Sequence, residues 1–351
     1  MKKILFLTGG LGNGGAERVA LTLADGLSNK GYLVEILYFR EDKNPYSTKC
    51  HTRMVKKGDF LTTELYLRQC VKEAAPDVII AFEYHTAVKC ILATGFQKHN
   101  YRIISSERGD PYQLRKKKMK GWDFLRNYAY KKCDLVVCQT RDAKSYFSAE
   151  IQKHTVVIPN PVRNIFPEWE SDQCENSVIT FCRLEKQKNI PLLIQAFEQM
   201  LMLFPNYKLY IFGNGSEERK IRNEIKEKNL RENVILQDFS SDIHKIAVKS
   251  RLFVSSSDYE GISNSMLEAM AMGMPVVCTD CPVGGAGMII RNYENGILVP
   301  VGDSTRLAEA MIEIISDSAL ASRLGDNAKR IKRELSVEGV LQRWIKLLEE
   351  K

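Results

Sequence analysis

Glu260 and Glu268 stand with seven residues between them in the stretch Asp258 to Met274, DYEGISNSMLEAMAMGM. An apolar run, Leu252–Val254, precedes it and another, Pro275–Cys278, follows. In an α/β chain that order sets a strand end, an acid-bearing turn and a helix start side by side, an arrangement that can hold a phosphate or a sugar. Glu260 falls in the turn, Ser263, Asn264 or Ser265 at the helix cap, and Glu268 in the first or second helical turn. Two carboxylates and several free backbone amides then share one small volume. The same residues admit a plainer account, because Ser265 with Glu268 three positions later is a capping box that serves only the helix.

A second set of candidates is cationic. Arg183 and Lys188 lie beyond the strand-like run Val178–Phe181, separated by a short turn. A guanidinium and an ammonium placed so can neutralise a diphosphate as its bond to a leaving sugar breaks, and the alternative is ordinary solvated charge. Gly213, in the Gly213-Asn-Gly215 turn, and Gly14 and Gly15, in the opening GGLGNGGAER, allow backbone to approach a phosphate or sugar closely. They fit a purely architectural tight turn as well, and the opening motif is not the G-x-G-x-x-G dinucleotide fingerprint. His85, in FEYHT, follows a predicted strand and can face an acceptor. A structural hydrogen bond is the alternative for His85.

These side chains need a scaffold that delivers strand ends to one edge. Predicted strands at Ile4–Thr8, Leu33–Phe39, Val78–Ala81, Ile103–Ser105, Leu135–Val137 and Val156–Ile158 alternate with helical patterns, the signature of an open, mainly parallel sheet. A Pro-containing break, Ile158-Pro-Asn-Pro-Val162, and a polar stretch to Asn176 mark a boundary. A second set of strands then begins at Val178–Phe181 and continues at Lys208–Phe212, Val234–Leu236, Leu252–Val254 and Val276–Cys278. The expected division is 1–170, 171–333 and a C-terminal helix, 334–351, that packs back on the first half. A chain of 351 residues exceeds one ordinary core, which agrees with two domains.

Composition narrows the function classes. The net charge of +8 suits anionic nucleotides, nucleic acid or a membrane surface, but no recognition helix or aromatic RNA motif accompanies it. Among the nine cysteines Cys278 and Cys281 are spaced as a C-x-x-C pair, but no second pair or regular metal spacing accompanies them, which points to a reduced, cytoplasmic setting without structural zinc. No secretion signal or membrane-spanning run stands out. In SERGDPYQLRKKKMKGW, the cations Arg115, Lys116, Lys117, Lys118 and Lys120 alternate with Tyr112, Leu114, Met119 and Trp122. As a helix this segment would suit an anionic membrane surface or a lipid diphosphate; as a solvated basic face it would need neither.

Taken together, GGLGNGGAER, CRLEKQKN, FGNGSE and EGISNSMLEAMAMGMPVV resemble the GT-B retaining glycosyltransferases of family 4 over nearly the whole chain. The resemblance implies an α/β fold of two Rossmann-like domains facing a central cleft. It also implies retaining transfer of a hexosyl or N-acetylhexosaminyl group from a UDP-sugar, with no metal or other cofactor. In relatives of this kind Gly14 and Gly15 face the donor phosphates and acceptor, Arg183 and Lys188 bind the diphosphate, and Glu260 contacts hydroxyls of the transferred sugar. The amides of Ile262, Ser263 and Asn264 meet the sugar or phosphate, with Gly213 near the nucleotide, and Glu268 accepts from the ribose hydroxyls. The GGAER and SERGDP segments look most like bacterial cell-surface glycan assembly, where the saccharide acceptor is often undecaprenyl-diphosphate-linked at the cytoplasmic membrane face. Two departures stand out: Arg108 occupies the place of a histidine common in relatives, and Cys182 that of the glycine before the arginine. A sucrose-forming or phosphorolytic enzyme, and a carbohydrate-binding subunit without turnover, are the alternatives.

Overall fold

Runs of β-branched and apolar residues that are buried on both faces pair most readily as parallel strands covered by helices. The computed structural model describes residues 1–350 apart from 13, 43–45, 57, 95–99 and 117, so Lys117 of the basic segment lies outside the described residues. The chain forms two units, Met1–Pro161 with Val337–Lys351, and Val162–Ser336.

The first unit contains β1 (Lys3–Thr8), β2 (Leu33–Tyr38), β3 (His51–Met54), β4 (Val78–Phe82), β5 (Arg102–Glu107), β6 (Leu135–Cys138) and β7 (Thr155–Val157). They lie in the order β3-β2-β1-β4-β5-β6-β7 with every pairing parallel. The order reverses between β1 and β4, which opens a crevice beyond their C-terminal ends. Helix Val337–Glu349 belongs to this unit. Its Val340, Leu341, Trp344, Leu347 and Leu348 enter the same core as Phe6, Leu23 and Phe82. Gly26 of helix Gly15–Asn29 lets that helix come close, since a Cβ there would stand 3.0 Å from Leu341.

The second unit contains β8 (Glu175–Phe181), β9 (Lys208–Phe212), β10 (Val234–Gln237), β11 (Ser250–Ser255), β12 (Val276–Thr279) and β13 (Ile297–Val299), in the order β10-β9-β8-β11-β12-β13, again all parallel. Here the reversal falls between β8 and β11. The architecture is the two-fold Rossmann-like α/β arrangement expected. Two strands escape the sequence reading, β3 and β13, and both are edge strands. The opposite edges, β7 and β10, are read from the sequence; β3 has no buried residue of its own, Val55 just past it being the first, and β13 runs directly into Pro300, which interrupts a strand pattern.

Helix Asn264–Met272 runs from the β11 loop toward β12, and all residues from Met266 to Met272 are buried. A helix enclosed on every side has no polar stripe, which is why LEAMAM shows no amphipathic period. Gly273 ends it in the left-handed conformation, at φ +83°.

Candidate active site

The β8 and β11 loops meet at the reversal of the second sheet. After β8, the chain makes a 3-10 turn, Lys186–Lys188, and Asn189 adopts a left-handed conformation with φ 43°. The Asn189 side chain caps helix Ile190–Leu201 through Leu192 N, and its amide donates to Asp258 Oδ1 at 2.7 Å. Asp258 N donates to Gln187 O at 2.8 Å, and Ser256 Oγ to Lys188 O at 2.9 Å. Three bonds thus clamp two loops far apart in sequence into one edge.

That clamp brings Lys188 onto Glu260. The ammonium Nζ and carboxylate Oε1 form a tight ion pair, and Ser257 Oγ donates to the same oxygen at 3.2 Å. Burial opposes the charge on Lys188, but the Glu260 carboxylate outweighs it and holds the lysine above its ordinary range. Arg183 stands on the same loop, exposed to solvent. Behind Glu260, residues 282–285 brace the turn: Glu260 N donates to Pro282 O at 2.8 Å and Val283 N to Glu260 O at 3.1 Å. Gly285 is required by contact, because a Cβ there would lie 1.5 Å from Gly261 O.

The helix cap corrects the capping-box expectation. Ser263, extended at φ −69° and ψ 119°, is the cap, and its hydroxyl accepts from Met266 N. Ser265 already lies inside the helix and meets the Ser263 hydroxyl at 3.0 Å. Glu268 Oε2 lies 2.9 Å from His244 Nε2. His244 was not singled out from the sequence, where a histidine in a short helical pattern carries no spacing signal. Ile262 and Ser263 are buried and Asn264 half-buried at the helix start.

Gly213 has an architectural requirement. Its φ is +154°, and a Cβ would stand 1.8 Å from Cys182 O, while one at Gly215 would stand 2.3 Å from Leu184 O. The glycines let the β9 loop lie against the loop bearing Arg183, with Leu184 N donating to Asn214 O at 2.9 Å. Burial raises the Cys182 thiol to about 11, so it stays protonated and unreactive at neutral pH.

In the first unit, the opening glycine loop leads from β1 into helix Gly15–Asn29. Gly14 is its cap residue, and the missing side chain leaves room for the Glu17 carboxylate, which would lie 1.7 Å from a Cβ. Asp42 Oδ2 accepts from Leu11 N at 2.8 Å and Gly12 N at 3.0 Å, so part of the loop's amide array is already engaged by an internal carboxylate. Arg40 links Asp42 to Glu17. His85, half-buried after β4, packs against Gly9 at the end of β1; burial, with Lys89 and Arg40 nearby, lowers it to about 4, which leaves a neutral imidazole.

Arg108, after β5, is enclosed. Its guanidinium lies over the Phe82 ring at 4.5 Å and the Trp344 ring at 5.9 Å, and Nη1 donates to Asn160 Oδ1 at 3.0 Å. Burial brings its pKa down to about 9, and its Nε and Nη2 meet no acceptor among the described residues. The basic segment is not one helix. Gln113–Lys116 forms a single turn, Lys118 takes a left-handed conformation at φ 56°, and a new helix begins at Lys120. Leu114 points into the core and Arg115 pairs with Asp123 at 2.9 Å, whereas Lys116, Lys118, Lys120, Trp122 and Phe124 are exposed.

Among the described residues no group of three or more His, Cys, Asp or Glu side chains could hold a metal ion. No described helix is long and apolar enough to cross a membrane, and all nine cysteines are unbridged.

Residues 162–331 match the family described as glycosyl transferases group 1, and residues 13–163 match glycosyltransferase family 4. The chain is 26% identical over 364 residues to the "GalNAc-alpha-(1->4)-GalNAc-alpha-(1->3)-diNAcBac-PP-undecaprenol alpha-1,4-N-acetyl-D-galactosaminyltransferase" of Campylobacter jejuni, spanning 100% of this chain and 99% of that one. It is 25% identical over 365 residues to the amylovoran biosynthesis glycosyltransferase AmsD of Erwinia amylovora, covering 99% and 100%. Among solved structures, Anabaena Alr3699/HepE in complex with UDP and glucose superposes with a TM-score of 0.85 over 100% of both chains at 19% identity.

Proposed function

We propose that this chain, a GT-B-fold glycosyltransferase related to the family 4 enzymes, transfers a hexosyl or N-acetylhexosaminyl group from a UDP-sugar to a saccharide acceptor with retention of configuration. One observation carries the reading: the Lys188–Glu260 pair sits at the sheet reversal beside the start of a buried helix. That is where an α/β sheet receives a phosphate-bearing ligand.

In this reading Lys188 and the exposed Arg183 side chain neutralise the diphosphate, aided by amides from Ile262 to Asn264. Glu260 accepts from hydroxyls of the transferred sugar, and Glu268 from the ribose. Fixed cations and helix amides carry the leaving-group charge, so the reaction needs no metal. Gly213 shapes the nucleotide side by allowing the β9 loop to close on Cys182. In the first unit, Gly14 and Gly15 serve phosphate or acceptor, and half-buried His85 is better placed to reach an acceptor than enclosed Arg108. The acceptor is proposed to be an undecaprenyl-diphosphate-linked saccharide, the class named for two Campylobacter jejuni relatives.

A mass-spectrometric screen of UDP-sugars against short lipid-linked saccharides tests this. The expected result is UDP released only when a saccharide acceptor is present, with an elongated product. Phosphate-dependent release of a sugar phosphate would sink the assignment in favour of phosphorolysis, and nucleotide binding with no product from any pair would favour a binding subunit.

With such an acceptor the protein would work at the cytoplasmic face of a membrane. Trp122 and Phe124, 40% and 70% exposed, beside Lys116, Lys118 and Lys120 give the first unit an apolar and basic surface suited to peripheral contact. Co-sedimentation with phosphatidylglycerol vesicles should fall at least about fivefold in a Trp122→Glu/Phe124→Glu double variant, given the ~0.8 kcal/mol per buried methylene of interfacial insertion. Unchanged sedimentation would remove this surface from the reading.

A further inference from the structure

Helix Ile243–Ala247 packs against helix Asn264–Met272 and brings His244 onto Glu268. The Nε2–Oε2 separation is 2.9 Å, and the two side chains are only 20% and 10% exposed. An ionised carboxylate can only accept, so Nε2 carries the hydrogen of this bond. The imidazole has little freedom to turn away. Phe166 meets it edge-on with centroids 4.9 Å apart, Phe181 does so at 6.2 Å, and Phe181 is itself set against Phe253 at 5.0 Å. The ring orientation is thus imposed by aromatic packing as well as by the bond to Glu268.

From this geometry we infer that His244 is a positioning residue for nucleotide recognition. It donates to Glu268 Oε2 and fixes the carboxylate in the orientation that meets the ribose hydroxyls. The inference rests on the ribose role proposed above for Glu268. A glutamate has several side-chain torsions to immobilise when a ligand binds, and a rigid, charge-assisted donor settles them beforehand. The effect belongs to binding: His244 acts through Glu268 and touches no reacting atom.

Calorimetry on the full chain with UDP and 2′,3′-dideoxy-UDP provides the test. His244→Ala should weaken UDP about 10-fold, as expected for loss of a hydrogen bond to a charged group. It should leave dideoxy-UDP, which lacks the hydroxyls Glu268 would engage, within about twofold by the same reasoning. His244→Gln keeps an N–H at similar reach and should recover most of the loss, with kcat unchanged and KM for the donor following the affinity. Equal weakening of both nucleotides, or no recovery with Gln, would assign His244 to packing and overturn the inference. Glu268→Ala separates the two levels. If it keeps the preference for UDP over dideoxy-UDP, the ribose reading itself fails; if it abolishes that preference while His244→Ala preserves it, only the role of His244 fails.

Discussion

Lys188→Ala is expected to lower kcat/KM by about 100- to 1,000-fold, the range for deleting one preorganised group that stabilises developing charge. The Lys188 side chain is 12% exposed, and its ammonium stays charged across any practical assay range because Glu260 raises its pKa against the opposing effect of burial. Its removal acts twice. On the proposed reading the diphosphate loses a cation, and Glu260 is left with its negative charge in a sheltered turn where the phosphates would bind. The folded protein should also lose on the order of 2–3 kcal/mol, discounted from the ~3–5 kcal/mol for breaking a fully buried pair because both side chains retain some exposure.

The double variant Lys188→Ala/Glu260→Ala distinguishes these contributions. It removes the stranded charge, so stability in urea should return most of the way while turnover stays low. Lys188→Arg should not substitute, since a planar fork in place of a compact ammonium cannot keep the same contact with Glu260 Oε1. Acceptor-dependent UDP release and urea unfolding on the same preparations provide the measurements. Unaltered turnover in Lys188→Ala would remove the β8–β11 crevice from the mechanism.

The largest expected effect on stability lies in the other unit. Trp344→Ala should destabilise the first unit by about 3–5 kcal/mol, the range for deleting a large aromatic from a packed core. Trp344 is 1% exposed, stacks on Phe82 with centroids 6.0 Å apart and planes 19° apart, and covers one side of the Arg108 guanidinium. Removing it opens a cavity and takes an aromatic face from a buried cation at once. Trp344→Phe should cost far less, about 1 kcal/mol or below, because the indole N–H meets no acceptor among the described residues and no hydrogen bond is lost. Urea unfolding followed by a probe in the first unit would resolve both. A loss under about 1 kcal/mol for Trp344→Ala would mean that helix Val337–Glu349 is a dispensable appendage, contrary to what core packing of this kind requires.

The sequence alone determined the alternation of apolar strands and helical patterns, the central strands of both sheets, and the glycines and charges that cluster at strand ends. Those features are local: a run such as VIIAF must be buried on both faces wherever it goes, and Gly273 must end a helix whose next residue turns back. The edges β7 and β10 were legible as apolar runs, whereas β3, HTRM, carries no buried residue and β13 is cut short by Pro300. Tertiary structure decided the partnerships. Lys188 reaches Glu260 only because Asn189, Asp258 and Ser256 clamp two loops, and no spacing encodes that contact. Ser263 rather than Ser265 became the cap because the backbone leaves the β11 turn still extended at Ser263. Glu268 meets a histidine supplied by a neighbouring helix, and Arg108 rests against an aromatic from the far end of the chain. Residue types reveal which chemistry is on offer, whereas long-range packing sets which charges meet, because pairing depends on distances that a linear chain does not contain.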